Sequence, residues 1–316
     1  MVQAGTVILV VGPTASGKSE FAERLAAEHG GEVLNADSQQ FYRGMDVGTG
    51  KIDPARAKVR HWLLDICEPG EAMTGMEFAR RADEIIGKLH QEGKVSVVVG
   101  GTGLYVRCLF EGLDDLPERN DGIRERLNKE LADGGGAVLH HRLKEIDPQL
   151  AARIHPNDPA RLVRFLEIWE LTGKPPSRIL SGRRPERLRY PARTFWLSPP
   201  RDRLREKIAE RVKNMIRSGW LEEVRGLMAR GLDPRFLSNK PIGYADLAEV
   251  AAGNLKLEAA EEKIVFKTRQ YAKRQETFFR GLLSHPAYFS FPCELSRFQD
   301  AGEEFADGVS RFSNRS

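Results

Sequence analysis

The hardest constraint on this chain lies in its first two dozen residues. An apolar run, Val7-Ile8-Leu9-Val10-Val11, leads straight into Gly12-Pro13-Thr14-Ala15-Ser16-Gly17-Lys18-Ser19, and Glu20-Phe21-Ala22-Glu23-Arg24-Leu25 follows. The middle eight residues fit G-x-x-x-x-G-K-[ST] in the context that pattern needs: buried strand, glycine turn, helix start. Glycines let the backbone curl with its amides pointing inward around an anion, and the helix N-terminus adds the positive end of its dipole. Lys18 would reach the terminal phosphate oxygens, and the Ser19 hydroxyl would hold a magnesium ion. Such a loop reads a diphosphate; nothing in it demands a nucleoside.

The chain that follows predicts an α/β fold, a P-loop NTPase-like parallel sheet flanked by helices. Glu32 to Ala36 reads as a second strand with Asp37-Ser38-Gln39-Gln40 at its carboxyl end, the edge where open α/β sheets bind ligands. A carboxylate there can ligate magnesium, act as a base, or cap a following helix. Gly48-Thr49-Gly50-Lys51 is a polar loop that by itself argues for nothing. Trp62 to Ile66 reads as a third strand, Thr74 to Gln91 as an amphipathic helix, and Val95 to Val99 as another buried strand ending in Gly100-Gly101-Thr102-Gly103. A phosphate-loop NTPase usually carries an acidic residue after such a strand. Glycines and Thr102 stand there instead, which leaves Asp37 as the well-placed carboxylate and weakens an ATPase reading.

From Leu116 to about Tyr190, short helical patterns alternate with Asp-Pro turns, and a small all-helical insertion is expected. The division this implies is a core of residues 1–116 and 191–316 with an insertion at 117–190. Within it, Pro159 to Ile168 is a helix that turns Leu162, Phe165, Leu166 and Trp169 inward and Arg161 and Arg164 away. Six arginines then fall between Arg178 and Arg193, a density suited to phosphate-backbone contacts or to a solvated linker. Helices are expected at about 201–217 and 221–230, and a long amphipathic one over 257–282, while the last thirty residues are expected to fray.

Charge sharpens the picture. The 316 residues carry a net charge of +4, but residues 1–115 sum to −5, residues 116–240 to +10 and residues 241–316 to −1. A basic middle beside an acidic end suits a polyanionic partner. Three well-separated cysteines (Cys67, Cys108, Cys293) suggest neither a disulfide framework nor a metal site. No secretory leader or membrane span is read, so a cytoplasmic protein is expected, working as a monomer.

Several stretches together resemble one family, the tRNA dimethylallyltransferases. They are Gly12 to Ser19; Asp37-Ser38-Gln39-Gln40-x-Tyr42; Gly100-Gly101-Thr102-Gly103-Leu104-Tyr105; Arg161-Leu162-Val163-Arg164; Arg211 in the helix before Ser218-Gly219; Ile242-Gly243-Tyr244; and Thr268 to Gln275. Asn239-Lys240-Pro241, Ala245 and Phe278 depart from the family's usual residues. The resemblance implies transfer of a dimethylallyl group from dimethylallyl diphosphate to the exocyclic amine of the adenosine 3′ of the anticodon. It implies Asp37 as general base, with Lys18, Thr102, Arg211 and Mg2+ on Ser19 stabilising the leaving diphosphate. It also implies a tRNA-binding set of Asp37, Ser38, Gln39, Gln40, Thr102, Arg161, Leu162, Val163 and Arg164, the insertion gripping the anticodon stem-loop. The rivals on the same residues are a nucleotide or small-molecule kinase, a transferase acting on free adenine nucleotide, and an RNA-binding module with an inert phosphate loop.

Overall fold

A computed structural model describes residues 7–112, 116–180, 185–237 and 240–288, and the backbone of a strand at 294–298. The chain divides into two compact units, residues 1–112 with 186–316, and residues 113–185.

The first unit is built on a parallel sheet of β1 (Val7–Val11), β2 (Glu32–Asn35), β3 (His61–Trp62), β4 (Ser96–Gly100), β5 (Ala192–Leu197) and β6 (Glu294–Phe298), in the spatial order β3-β2-β4-β1-β5-β6. Every pairing is parallel. Both faces of the sheet are covered, which is why β1 reads as an unbroken apolar run. Ile8 and Val10 point to one face, against Phe21, Ala22, Leu25 and Ala26 of α1 (Lys18–Glu28). Val7, Leu9 and Val11 point to the other, against α2 (Gly75–Gln91) and α3 (Gly103–Glu111). A strand alternates its side chains with period two, so one apolar run serves two cores.

The third strand stops after two residues. Leu63 and Asp65 take left-handed backbone (φ 62° and 53°), so the expected strand to Ile66 becomes a turn. Asn35 Nδ2 donates to the Leu63 carbonyl and Lys51 Nζ donates to Asp65, which fixes that turn. At the other end, β6 falls inside the stretch expected to fray. Its backbone pairs with β5 from Arg193↔Glu294 to Leu197↔Phe298.

The second unit holds α4 (Asp121–Ile146), in fact two helices meeting at Gly135 (φ 75°), then α5 (Pro148–Ala151), α6 (Pro159–Thr172) and α7 (Pro176–Ile179). Its own core comprises Leu127, Leu139, Leu143, Leu162, Val163 and Leu166 with their neighbours. Back in the first unit, α8 (Arg201–Arg217), α9 (Trp220–Ala229), α10 (Tyr244–Ala251) and α11 (Leu257–Leu283) complete the α-helices among the described residues. No described helix is long and apolar enough to cross a membrane.

Candidate active site

The strand order puts the carboxyl ends of β1, β4 and β2 side by side, and the candidate residues collect there. After β1 the loop coils through two left-handed residues, Ala15 (φ 62°) and Gly17 (φ 83°), and Gly17 opens α1 with no side chain capping it. The first amides of a helix have no partner within the helix, so an uncapped N-terminus offers them to an anion. Gln275 of α11 braces the loop: Thr14 N donates to its Oε1 at 2.8 Å, and its Nε2 donates to the Gly101 carbonyl at 2.9 Å. A Cβ on Gly101 would lie 2.1 Å from Gln275 Nε2, so the glycine after β4 is what lets Gln275 come this close.

A cavity of about 260 Å³ opens over this loop, lined by Thr14 to Glu20, Asp37, Gln40, Thr49, Gly50, His61 and Arg211, among others. Lys18 and Arg211 are its cations. Among the described residues Lys18 Nζ has one hydrogen bond, to the Pro13 carbonyl at 3.4 Å, and Arg211 donates to the Thr49 carbonyl at 3.5 Å. Among the described residues neither makes a carboxylate ion pair. Burial is the main force on both: it pulls the Lys18 ammonium down to about 8, opposed by Asp37 and assisted by Arg211. It lowers Arg211 too, again opposed by Asp37. Two desolvated cations that no carboxylate contacts directly are costly unless an anion arrives, and a diphosphate is such an anion.

Asp37 sits where both cations feel it. No helix follows it; residues 38–41 form a turn, and Asp37 Oδ1 accepts the Gln39 amide at 3.0 Å. The helix-cap alternative therefore becomes a turn brace that uses one carboxylate oxygen. Among the described residues Oδ2 has no hydrogen bond. The Thr102 hydroxyl accepts from Ser38 N at 2.9 Å and lies 3.2 Å from Ser38 Oγ, so it holds the Asp37 turn and does not line the phosphate cavity. Gln40 Nε2 donates to the Thr49 and Gly50 carbonyls, while Gln39 Oε1 is buried without a partner.

A second cavity of about 290 Å³ shares Thr14, Asp37, Thr49 and Arg211 with the first and continues between Val212, Met215, Trp220, Ile242, Tyr244 and Tyr271. Lys240 and Pro241 line it too, whereas Asn239 lies outside the described residues. Burial, then the Asp37 charge, pushes the Tyr271 phenol well above its ordinary value, so it stays protonated.

In the helical unit the four residues of the Arg161–Arg164 stretch part company. Arg161 is exposed, 3.3 Å from Asp158. Leu162 and Val163 belong to the core. Arg164 donates to the buried Glu167 at 2.7 Å and to the Pro117 carbonyl. Of the arginine-dense segment, Arg183 and Arg184 lie outside the described residues; Arg189 is held by Asp83, and Arg193 lies within β5.

The fold and the site together define a phosphate-loop enzyme with a strand-end carboxylate beside an anion cavity. A sequence profile described as IPP transferase matches residues 40–282. The tRNA dimethylallyltransferase of Geobacter sulfurreducens is 44% identical over 282 residues, covering 88% of this chain and 91% of its own length. That of Anaeromyxobacter dehalogenans is 46% identical over 277 residues, covering 87% and 91%. Among solved structures, a full-length tRNA isopentenylpyrophosphate transferase from Bacillus halodurans superposes with TM-score 0.67 at 33% identity, covering 98% of this chain and 95% of that one. A eukaryotic dimethylallyltransferase described as acting on tRNA gives TM-score 0.79 at 26% identity, covering 98% and 80%. The chain belongs to the tRNA dimethylallyltransferase family and is a transferase.

Proposed function

We propose that the chain transfers the dimethylallyl group of dimethylallyl diphosphate to the exocyclic amine of the adenosine 3′-adjacent to a tRNA anticodon, releasing diphosphate. The observation that carries this is a buried cation, Lys18, and a half-buried one, Arg211, both desolvated and without a carboxylate ion pair among the described residues, beside Asp37. The diphosphate fits the loop cavity. The more apolar neighbouring cavity suits the prenyl chain and the adenine.

That amine is a weak nucleophile, because its lone pair is delocalised into the ring. As its nitrogen bonds to the allylic C1, the C1–O bond breaks and its electron pair leaves with the diphosphate. The Asp37 carboxylate takes the amine's proton, so no cationic nitrogen has to survive. Lys18 and Arg211 stabilise the charge that grows on the leaving oxygens, in a site where few waters screen them. Thr102 contributes by holding the Ser38 end of the acceptor turn. Ser38, Gln39 and Gln40 would meet the extruded base and its neighbours, since chemistry on a base edge requires it to leave its stack.

Magnesium fits this donor set. Ser19 lies exposed at the cavity. The described residues form no cluster of three or more His, Cys, Asp or Glu side chains. Mg2+ keeps several waters and is commonly held by substrate phosphates with one or two protein groups, so a single hydroxyl beside a diphosphate is an adequate protein share. When bound, it would draw charge from the departing diphosphate.

In the helical unit, Arg161 is the phosphate contact, and Leu162, Val163 and Arg164 hold the helix that presents it. The insertion then serves as the grip on the anticodon stem-loop. The chain is read as working as a monomer. The two described cysteines are free, in keeping with a reducing cytoplasm.

The test is transfer of labelled dimethylallyl diphosphate to unmodified tRNA, with Mg2+ and without ATP, beside an ATP-hydrolysis control. Label on the adenosine beside the anticodon is the expected result. ATP consumed without transfer would replace this reading with a kinase.

A further inference from the structure

Two features singled out in the sequence, the Gly48-Thr49-Gly50-Lys51 loop and Ile242-Gly243-Tyr244, give that mechanism cavity wall and no reacting group. One carboxylate joins them. Glu223, on α9, accepts from three consecutive backbone amides: Asp46 N and Val47 N at 2.7 Å to Oε2, and Gly48 N at 3.2 Å to Oε1. The Tyr244 hydroxyl donates to the same Oε1 at 2.7 Å. Tyr244 is itself fully buried and meets Trp220 edge-on, ring centroids 5.5 Å apart. The loop has no room to retreat, since a Cβ on Gly48 would lie 2.0 Å from Trp220 Nε1.

The clamped loop is what Arg211 rests on. The Thr49 carbonyl, next in sequence to the clamped Gly48, is the hydrogen-bond acceptor for Arg211 and one of two for Gln40. Gly50 packs so closely that a Cβ there would lie 2.0 Å from Arg211 Nη2. Lys51 closes the far side through Asp46, Asp65 and the Tyr42 carbonyl. Arg211 is half-buried, and among the described residues its guanidinium has no ion-pair partner and so no strong contact of its own to fix it. Its aim depends on the wall behind it.

We propose that Glu223, buttressed by Tyr244, is a positioning residue for the transfer: by clamping residues 46–48 it fixes the Thr49–Gly50 backbone that aims Arg211 at the donor diphosphate. This rests on Arg211 being a diphosphate ligand. Glu223 touches no reacting atom; it acts through three amides and one carbonyl. Orientation errors of about 1 Å at a charged catalytic group cost roughly 100-fold, so the effect is large for a residue outside the cavity.

The decisive variant is Glu223→Gln, which keeps the volume but sets an amide NH2 against either the Gly48 amide or the Asp46 and Val47 amides. The expected result is a fall in kcat/KM for dimethylallyl diphosphate of roughly 10- to 100-fold with KM for tRNA unchanged. In an Arg211→Ala background the same substitution should cost less than about threefold, because residues acting through one another are non-additive. Tyr244→Phe removes one of the four bonds to the carboxylate and should show a smaller loss with the same non-additivity. A Glu223→Gln loss that persists in full on Arg211→Ala, or that falls equally on tRNA KM, overturns the proposal. An Arg211→Ala variant that uses dimethylallyl diphosphate as well as the wild type overturns instead the assignment of Arg211 on which it rests.

Discussion

Lys18 makes the sharpest quantitative prediction, because its burial sets a proton count. Its ammonium is held at about 8 in the ligand-free protein against an ordinary 10.5, a difference worth about 3 kcal/mol against the charged form. A diphosphate seated on it favours the charged form and returns its pKa toward or above the ordinary value. At pH 9 the free site is then roughly one-tenth protonated and the complex nearly fully so, giving an uptake of about 0.9 proton per diphosphate bound. At pH 7 the uptake drops to about 0.1, and affinity should weaken about tenfold between pH 7 and 9. The ligand's own last ionisation, near that of a phosphate monoester at about 6, is complete over that span. Two neighbours at the cavity stay out of the window: burial drives His61 below its ordinary value and so neutral, and Arg211 remains charged. Calorimetry of dimethylallyl diphosphate binding without tRNA, run in buffers of differing ionisation enthalpy, measures the uptake directly. Lys18→Arg keeps a charge that does not titrate and should flatten the profile. An uptake below about 0.3 proton at pH 9, or the same uptake in Lys18→Arg, would refute the assignment.

Asp37→Ala should lower turnover by about 10²- to 10⁴-fold in single-turnover transfer assays while tRNA affinity stays within about threefold; turnover within about tenfold of wild type would remove Asp37 as the base. Arg161→Ala should weaken tRNA binding and reduce the salt slope of log K by about one, read from binding at a series of salt concentrations. Arg164→Ala should behave differently. It leaves the fully buried Glu167 with Arg124 as its one cation among the described residues, beside the Asn120 amide, so the expected result is a loss of about 3 kcal/mol in unfolding free energy, seen by thermal or urea denaturation.

The phosphate loop, the strands around it and the long helices were legible because each is written in a few neighbouring residues. The run Val7–Val11 needs no partner to declare itself, and Leu162 and Leu166 declare their side of α6 by spacing alone. The misses share a cause. The short β3 depends on Asn35 reaching Leu63, 28 residues away, and β6 on pairing with a strand about a hundred residues earlier. Glu167 was legible as one more helix carboxylate; only packing shows it buried, with Arg124 and Arg164 turned onto it. Glu223 carried no signal at all, since its three amides lie about 175 residues upstream.

The sequence by itself therefore determined the chemistry's vocabulary: a loop for a diphosphate, a lysine, a strand-end carboxylate, an RNA-sized excess of positive charge in the middle. Tertiary structure decided the electrostatics and the aim. It desolvated Lys18 and Arg211 without a direct ion pair, set Asp37 within their field, tied the phosphate loop to Gln275 across 261 residues, and clamped the wall behind Arg211 with Glu223. Residue types and short spacings are local properties of a chain. Desolvation and orientation exist only once distant segments have packed together.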